Sequence, residues 1–379
     1  MKWLLFLLLF TVNCFCYDFA EFDPFQGRLS KEYVTHKISY YLQYSKEIEN
    51  YFEIQEDALV IFSSPKNKKD GVSEYRLDFG DKNLPNPQFN LVKPISSVRI
   101  AIDPGHFGGK WARLEERYID VEHEGLSVNF DEGTLSFLTA VHLKKMLEGQ
   151  GASVFLTRTK VGEGVYPENF FDWLKKRPEY WEKGVALSTI FRRHYNRLDL
   201  RERARLINEY QPDLTIAIHY NTVGCKETIE PTDRNFNLIF IPGAFCNNEL
   251  ASFEDRFHFL RLICTQDLEG SMQLAHVLVD MFSKHLKVFP FTSPVHNSLL
   301  EANGVFSRNL CITRLIKSPI CYGETLIQNN EKELINLSKN DEVVDGIPCP
   351  QRVIDVANAY YEAILAFFDH DFDFKGGKN

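Results

Sequence analysis

The chain has 379 residues, of which 44% are hydrophobic and 25% are charged, which excludes wholesale disorder and is typical of a globular protein. Its formal net charge is −9 and no basic run is present, which argues against a nucleic-acid partner because an acidic surface repels phosphates. At this length we expect one large domain or two ordinary domains.

Residues 1–16 consist of a basic start, an apolar run over 3–10 and a short exit of small or polar residues. This pattern is typical of a secretory signal peptide, and the run is shorter than the ~20 residues that a spanning helix needs. We therefore predict an exported protein of the periplasm or cell surface, without an integral membrane span and with cleavage near Cys16. Lipidation of Cys14 or Cys16 is the alternative.

The other cysteines are scattered and form no Cys-x-x-Cys pair, which argues against a zinc site built from cysteines. Export permits disulfides, and a bond between Cys225 and Cys246 would close the loop between them. Buried free thiols are an equally good interpretation. The same alternatives apply to the remaining cysteines, namely Cys264, Cys311, Cys321 and Cys349.

Residues 17–95 are predicted to form a small N-terminal accessory region with both helix and strands. The pattern indicates a helix over 30–51 and strands at 57–62 and 74–79, and a proline-rich linker follows over 84–94. We expect this region to pack on the main domain rather than to act as an independent binding module.

From Val98 onward, strand and helix patterns alternate, which predicts an α/β domain over 96–370 and a frayed tail over 371–379. The expected architecture is a twisted, mainly parallel sheet flanked by helices on both faces. Strands are predicted at 98–103, 152–158, 213–219, 236–242, 309–312 and 319–324, and helices at 131–149, 198–210, 271–286 and 353–368.

Two of the predicted buried strands finish at a histidine, the first in a Pro-Gly turn at His106 and the second at His219. A single histidine in a turn is usually no more than a polar turn residue. Two histidines are different, because the carboxyl ends of parallel strands meet at one edge of a sheet. The pair therefore predicts a metal site.

A catalytic zinc ion keeps three protein ligands and one open position, so the two histidines need a third partner. The segment between Lys110 and Glu132 offers one histidine and several acids: Glu115, Glu116, Asp120, Glu122, His123, Glu124, Asp131 and Glu132. Geometry favours Glu132, since it begins a helix that packs beside the His106 strand. The other acids are expected to be solvated loop charges.

Several motifs follow one another in a characteristic order. They are Asp103-Pro104-Gly105-His106, a glutamate opening the next helix, Leu156-Thr157-Arg158-Thr159, the basic run 200–208, Ile218-His219-Tyr220-Asn221 and the run 319–324. Over about residues 98–335 the chain resembles the zinc-dependent N-acetylmuramoyl-L-alanine amidases of the cell-wall hydrolase type. The resemblance implies a mainly parallel sheet, one zinc ion, and cleavage of the amide between muramic acid and L-alanine in peptidoglycan.

Position by position, the resemblance implies that His106, Glu132 and His219 are the zinc ligands and that Glu324 is the catalytic glutamate. The chain departs from the family's pattern at Phe107, where the family has a glycine directly after the histidine, and in the longer segment that leads to Glu132. The residues on either side of Glu324 are also less apolar than is usual in the family.

This inventory predicts a hydrolytic mechanism in which Glu324 takes a proton from the zinc-activated water and passes one to the leaving amine. Asp103 and Asn221 are expected to orient His106 and His219, because ligating histidines usually donate their second ring nitrogen to such groups. A turn-capping role for Asp103 is equally compatible with the sequence.

A protein that binds peptidoglycan without cleaving it, or that needs an activator protein, is the alternative function. The presence of all three predicted ligands and of Glu324 favours the enzyme. Two insertions, 163–196 and 244–266, are expected to reshape the substrate groove. The substrate could therefore be another amide, or an insertion could cover the active site until a partner protein moves it.

Overall fold

The structure is a computed structural model that describes residues 17–224 and 229–369. The predicted signal peptide with Cys14 and Cys16, Cys225 and the tail over 371–379 lie outside these residues. Within the described ranges, none of the helices has both the length and the apolar character needed to cross a bilayer.

The described chain forms strands and helices in alternation from residue 99 onward. The strands are β1 (Phe52–Ile54), β2 (Ala58–Ile61), β3 (Tyr75–Asp78), β4 (Arg99–Pro104), β5 (Tyr118–His123), β6 (Leu126–Asp131), β7 (Ser153–Leu156), β8 (Leu214–Asn221), β9 (Leu238–Ile241), β10 (Leu299–Ala302), β11 (Val305–Ser307), β12 (Ile320–Ile327), β13 (Glu342–Val344) and β14 (Ile347–Cys349). The α-helices are α1 (Lys31–Lys37), α2 (Pro65–Lys69), α3 (Ala112–Glu115), α4 (Glu132–Gly149), α5 (Phe170–Lys175), α6 (Glu179–Glu182), α7 (Leu187–Ile190), α8 (Asn196–Tyr210), α9 (Phe253–Cys264), α10 (Asp267–Leu286), α11 (Cys311–Leu315), α12 (Glu331–Leu337) and α13 (Gln351–Phe368).

Seven strands form the central sheet in the order β10-β11-β9-β12-β8-β4-β7. Four of its strand pairings are parallel, including both pairings of β8, while β9 with β12 and β10 with β11 are antiparallel. Strand β8 is buried along nearly its whole length, as expected for a strand covered on both faces. The prediction of an α/β fold with a mainly parallel sheet is confirmed.

Helices cover both faces of this sheet. On one face α4, α10 and α13 pack together over β8, β9 and β4, and on the other face α8 and α11 pack over β4 and β12. The strand predicted at 309–312 is wrong, because helix α11 begins at Cys311 and buries Ile312 and Leu315 against α8. A short apolar run does not by itself distinguish a strand from a buried helical turn.

The acidic segment after His106 is also more ordered than the predicted loop. Helix α3 is followed by the hairpin β5–β6, whose alternate residues Ile119 and Val128 are buried against Leu334 of α12. This period of two is the usual signature of a half-buried strand. The hairpin returns the chain directly to the start of α4.

The N-terminal region forms its own three-stranded sheet, β1-β2-β3, and shares a continuous hydrophobic core with the rest of the chain. Helix α9, which lies in the insertion 244–266, contacts this region: the ring of Phe257 lies 4.9 Å from that of Phe22. Lys37 of α1 is 1% exposed and lies 2.9 Å from a carboxylate oxygen of Glu269. The region is therefore an integral part of the fold.

The other insertion, 163–196, builds an aromatic cluster around the residue that follows His106. Phe107 is buried and packs edge-on against Phe191 at 5.1 Å, together with Phe170 and Tyr195. The bulky ring of Phe107 is thus covered by the side chains of this insertion. This packing fixes the start of the segment that carries the candidate site.

Candidate metal centre

Three elements bring His106, Glu132 and His219 together. Strand β4 pairs with β8 as far as Pro104 opposite Ile218, and the amide of Gly105 then donates to the Ile218 carbonyl at 2.8 Å. His106 follows this contact, His219 is the next residue of β8, and Glu132 opens α4 behind them. The ends of β4 and β8 therefore lie side by side at one edge of the sheet, as expected for parallel strands.

The three side chains present one ligand atom each, and these atoms lie within 4.8 Å of one another. Glu132 Oε1 lies 3.3 Å from His106 Nε2 and 3.0 Å from His219 Nδ1. Ligands of a tetrahedral zinc ion at about 2.1 Å lie about 3.4 Å apart, so this donor set and spacing fit zinc. Two imidazoles and one carboxylate are also the ligand types of a catalytic rather than a structural zinc site.

The backbone at the end of β4 is shaped for this contact. A Cβ atom on Gly105 would lie 2.2 Å from the Cε1 atom of His219, so only glycine lets the two histidine loops approach each other. His106 itself has a φ of 56°, in the left-handed region that costs a non-glycine residue about 1–3 kcal/mol. Such local strain is concentrated at functional sites and is held here by the surrounding packing.

Helix α4 is positioned by its first turn. The Asp131 side chain caps the helix by accepting from the Thr134 amide at 2.8 Å, and this fixes Glu132 as the first helical residue. Gly133 lies against Gly108, where a Cβ atom would be only 2.3 Å from the Gly108 nitrogen. The close approach brings the helix start against the turn that carries His106.

The electrostatics of the cluster favour a positive charge between these side chains. Burial opposes a charge on His106, but the carboxylates of Glu132 and Glu115 outweigh it and raise the pKa of His106 to about 9. Burial likewise opposes ionisation of Glu132, yet the two histidines hold its pKa well below the usual range. Burial lowers the pKa of His219. The ionised Glu132 carboxylate thus favours a cation at this position, either the proton on His106 or a metal ion that replaces it.

Glu115 is the residue whose role differs most from the prediction. It was expected to be a solvated loop charge, but it is only 2% exposed and accepts from His106 Nδ1 at 2.9 Å and from the Phe107 amide at 2.8 Å. Its carboxylate therefore orients the ring of His106 and leaves Nε2 facing Glu132. Trp111 and Leu114, which pack into the aromatic cluster, were the available signal that this turn is buried.

Asp103 does not orient His106 as predicted, because the Nδ1 atom of that ring bonds Glu115. The buried Asp103 carboxylate instead accepts from Thr157 Oγ1 at 2.5 Å and from Arg203 Nη1 at 3.5 Å. Arg203 and Arg158 donate to the carbonyls of Pro104, Gly105 and Phe107. Asp103 thus belongs to a buried network that holds the backbone of the His106 turn.

Asn221 also has a different role from the predicted one. Its side-chain oxygen accepts from the next amide, that of Thr222, at 2.8 Å, and its carbonyl accepts from the Gln328 amide. His219 Nδ1 faces Glu132 at 3.0 Å, and the ring of His219 stacks on Tyr322 with centroids 4.1 Å apart. The stacking, rather than Asn221, fixes the plane of the His219 ring.

Glu324 lies on β12 directly opposite His219 of β8 in the parallel register. Burial and the nearby charge of Glu132 raise the pKa of Glu324 to about 8, against the opposing charges of His106, Arg117 and Arg308. A carboxyl group with a pKa near neutrality is able both to accept and to return a proton. A bulge follows at once, with Leu326 at a φ of 62°, and ends the regular pairing of β12 at the site.

Arg117 is a second residue that sequence reasoning did not single out. Its Nε atom lies 3.3 Å from His106 Nε2 and 3.7 Å from Glu132 Oε2, so a guanidinium group borders the ligand cluster. Arg117 also joins the backbone of the site, since its carbonyl accepts from the Glu132 amide. The sequence offered no pattern that would separate it from the other arginines of this segment.

Comparison with known proteins identifies the family of the chain. The family model of the N-acetylmuramoyl-L-alanine amidases matches residues 100–347, about two thirds of the chain. No curated protein sequence matches the chain.

Among solved structures, Ami1 from Mycobacterium smegmatis is similar with 14% identity and a TM-score of 0.45, covering 73% of this chain and 99% of that chain. The CwlD amidase from Clostridioides difficile, solved in complex with the GerS lipoprotein, has 18% identity and a TM-score of 0.43, with 72% and 98% covered. AmiC2 of Nostoc punctiforme has 14% identity and a TM-score of 0.39, with 71% and 96% covered.

The family match spans the sheet, both histidine-bearing strand ends, Glu132 and Glu324. It confirms the predicted family, the predicted class of enzyme and peptidoglycan as the substrate. The chain therefore belongs to the N-acetylmuramoyl-L-alanine amidases, the enzymes that cleave the amide between N-acetylmuramic acid and L-alanine in peptidoglycan.

Proposed function

We propose that this amidase is zinc-dependent, with His106, Glu132 and His219 as the ligands and Glu324 as the proton-transfer group. The observation that carries the proposal is the convergence of three zinc-type ligand atoms within 4.8 Å at one edge of the sheet. Zinc in a site with three protein ligands lowers the pKa of a bound water to about 7 and polarises a substrate carbonyl.

The protein's own groups divide the remaining work. Glu324 in its ionised form takes a proton from the attacking water, whose oxygen forms a bond to the lactyl carbonyl carbon. The bond from that carbon to the alanine nitrogen then breaks, and Glu324 returns the proton to the leaving amine. The products are a muramic acid carboxylate and a peptide with a free N-terminal alanine, whose amine also takes up the second proton of the water, so protons and electrons balance.

Glu115 supports this chemistry without touching the substrate. Its contact with His106 Nδ1 holds the ring proton on that nitrogen when His106 is neutral, so that Nε2 is the nitrogen presented to a metal ion, and such carboxylates typically strengthen metal affinity tenfold to a hundredfold. Its second oxygen ties the Phe107 amide to the same carboxylate. The Glu115 carboxylate therefore links the metal ligand His106 to Phe107, on which the insertion 163–196 packs.

The experiment that tests the proposal is a digestion of purified peptidoglycan by the full chain. Soluble products are analysed by mass spectrometry before chelation, after chelation and after zinc is returned. The proposal predicts peptides that begin with alanine, lost on chelation and restored by zinc. Binding of peptidoglycan without any release, at full zinc occupancy, would instead indicate a protein that needs an activator or does not cleave.

The cell-wall substrate is consistent with export, and we include residues 1–16 in the proposal as a cleaved signal peptide. Mass spectrometry of the secreted protein would give its first residue and show whether Cys14 or Cys16 is retained with a lipid. An activator protein also stays a proposal. Insertion 163–196, which contacts the site segment through the 2.9 Å pair of Arg192 and Glu116, is the surface on which it would act.

A further inference from the structure

A cavity of about 170 Å³ opens beside Glu132, on the side of the metal ligands that faces the β5–β6 hairpin. Its walls include Arg117 and Tyr118 at the start of β5, Thr222 after β8 and Gln328 after β12. Most of these side chains carry hydrogen-bonding groups. The cavity is therefore suited to a polar portion of a ligand rather than to an apolar one.

Arg117 gives this cavity its charge. Its Nη1 atom donates to the Glu116 carbonyl at 3.0 Å and its Nε atom lies 3.3 Å from His106 Nε2. Within residues 17–224 and 229–369, no protein group accepts from Nη2, and the Arg117 side chain is 34% exposed. One edge of the guanidinium group thus remains available to a ligand.

The two carboxylates in the same wall are already engaged. Glu116 pairs with Arg192 at 2.9 Å, and Glu132 accepts from the Tyr220 amide at 3.2 Å in addition to its contacts with the histidines. Among the described residues that line the cavity, Arg117 supplies the positive charge. An anionic group of the ligand would find its partner there.

The distance from the ligand cluster limits which part of the substrate reaches Arg117. The Nε atom of Arg117 lies 3.7 Å from Glu132 Oε2, which is close to the length of about 3.3–3.6 Å that one residue of an extended peptide spans. A group one residue beyond the scissile bond therefore reaches the cavity when the bond lies at the metal centre. In peptidoglycan the alanine is followed by an acidic residue joined through its side chain, whose α-carboxylate is free or amidated.

We propose that Arg117 is a specificity-determining residue that binds the free α-carboxylate of the acidic residue following alanine in the stem peptide. This inference rests on the proposed function, since it assumes that the scissile amide lies beside His106, Glu132 and His219. The amidase accordingly prefers stem peptides with a free carboxylate at this position to those in which it is amidated.

The test compares two synthetic muramoyl dipeptides that differ only in this carboxylate or carboxamide. The wild type is expected to favour the acid about tenfold or more in kcat/KM, mainly through KM, as a charge-assisted hydrogen bond would give. Arg117→Gln is expected to bring the ratio close to one, and Arg117→Lys to restore part of it. Arg113→Gln is the matched control, because Arg113 lies in the same segment but pairs with Asp120 at the surface.

Calorimetric binding of the two released dipeptides to the zinc-loaded protein provides a second readout that needs no turnover. If neither the wild type nor any variant cleaves either substrate, the proposed function fails, but the difference in binding between the acid and the amide still tests the role of Arg117. Equal binding of acid and amide by the wild type, or a preference kept by Arg117→Gln, would overturn the proposal. So would a loss of zinc in Arg117→Gln large enough to account for its whole effect.

Discussion

Replacement of Glu115 by glutamine is expected to weaken zinc binding about tenfold to a hundredfold. The carboxylate is 2% exposed and satisfies two donors, His106 Nδ1 at 2.9 Å and the Phe107 amide at 2.8 Å. Glutamine has one acceptor oxygen, so its NH2 group must face one of these donors. An unpaired buried donor costs about 1–3 kcal/mol, and a factor of ten in affinity corresponds to about 1.4 kcal/mol.

The assay is a competition titration in which the protein and a chromophoric chelator share a limiting amount of zinc. Glu116→Gln is the control, since the neighbouring carboxylate is 32% exposed and pairs with Arg192 rather than with a ligand. Its zinc affinity should stay within about threefold of the wild type, as expected for a partly exposed ion pair. Wild-type zinc affinity in Glu115→Gln, with both apoproteins folded, would refute the positioning role of Glu115.

Three further predictions follow from the contacts of the site and the N-terminal region. Gly105→Ala should displace His219 and abolish stoichiometric zinc binding, which metal analysis of the purified protein measures. Gly149→Ala is the control and should bind zinc normally, because no atom lies within 4 Å of the added Cβ. Glu324 must be ionised to accept a proton, and its pKa is raised to about 8 in the metal-free site. We therefore expect kcat/KM to rise with pH on the acid side of the profile, with a midpoint that the positive charge of bound zinc lowers below 8. A kcat/KM that does not change with pH on the acid side would contradict this. Lys37→Met should cost about 3 kcal/mol in urea unfolding, because it removes the cationic partner of the Glu269 carboxylate and leaves only the Tyr33 hydroxyl as a donor to it. The exposed pair of Lys31 and Glu56 should contribute less than about 1 kcal/mol.

The part of the site that follows from local pattern could be predicted from the sequence. The histidines end apolar, β-branched runs, and a helix with an acidic N-cap begins at Glu132, so three ligands at one sheet edge followed from the connectivity of parallel strands. The resemblance supplied Glu324. The structure adds that the two histidines offer different ring nitrogens, Nε2 and Nδ1, to the same carboxylate.

The residues that support the ligands could not be predicted in this way. Whether an acid such as Glu115 is solvated or buried depends on the insertion that packs over its turn, which lies about fifty residues further along the chain. The rule that a ligating histidine donates its second ring nitrogen to a carboxylate or amide predicts Asp103 as the partner of His106, but side chains three residues apart at the end of a strand do not share a face. It bonds Thr157 and Arg203 instead.

The central claim is that zinc held by His106, Glu132 and His219 and a proton carried by Glu324 cleave the muramoyl–alanine amide. The most direct test measures zinc content and turnover of a muramoyl peptide in the same samples of wild type and Glu324→Gln. We predict full zinc occupancy in both proteins and a turnover number lower by a factor of about 10² to 10⁴ in the variant. Turnover by Glu324→Gln at the wild-type rate, with zinc bound, would contradict the account.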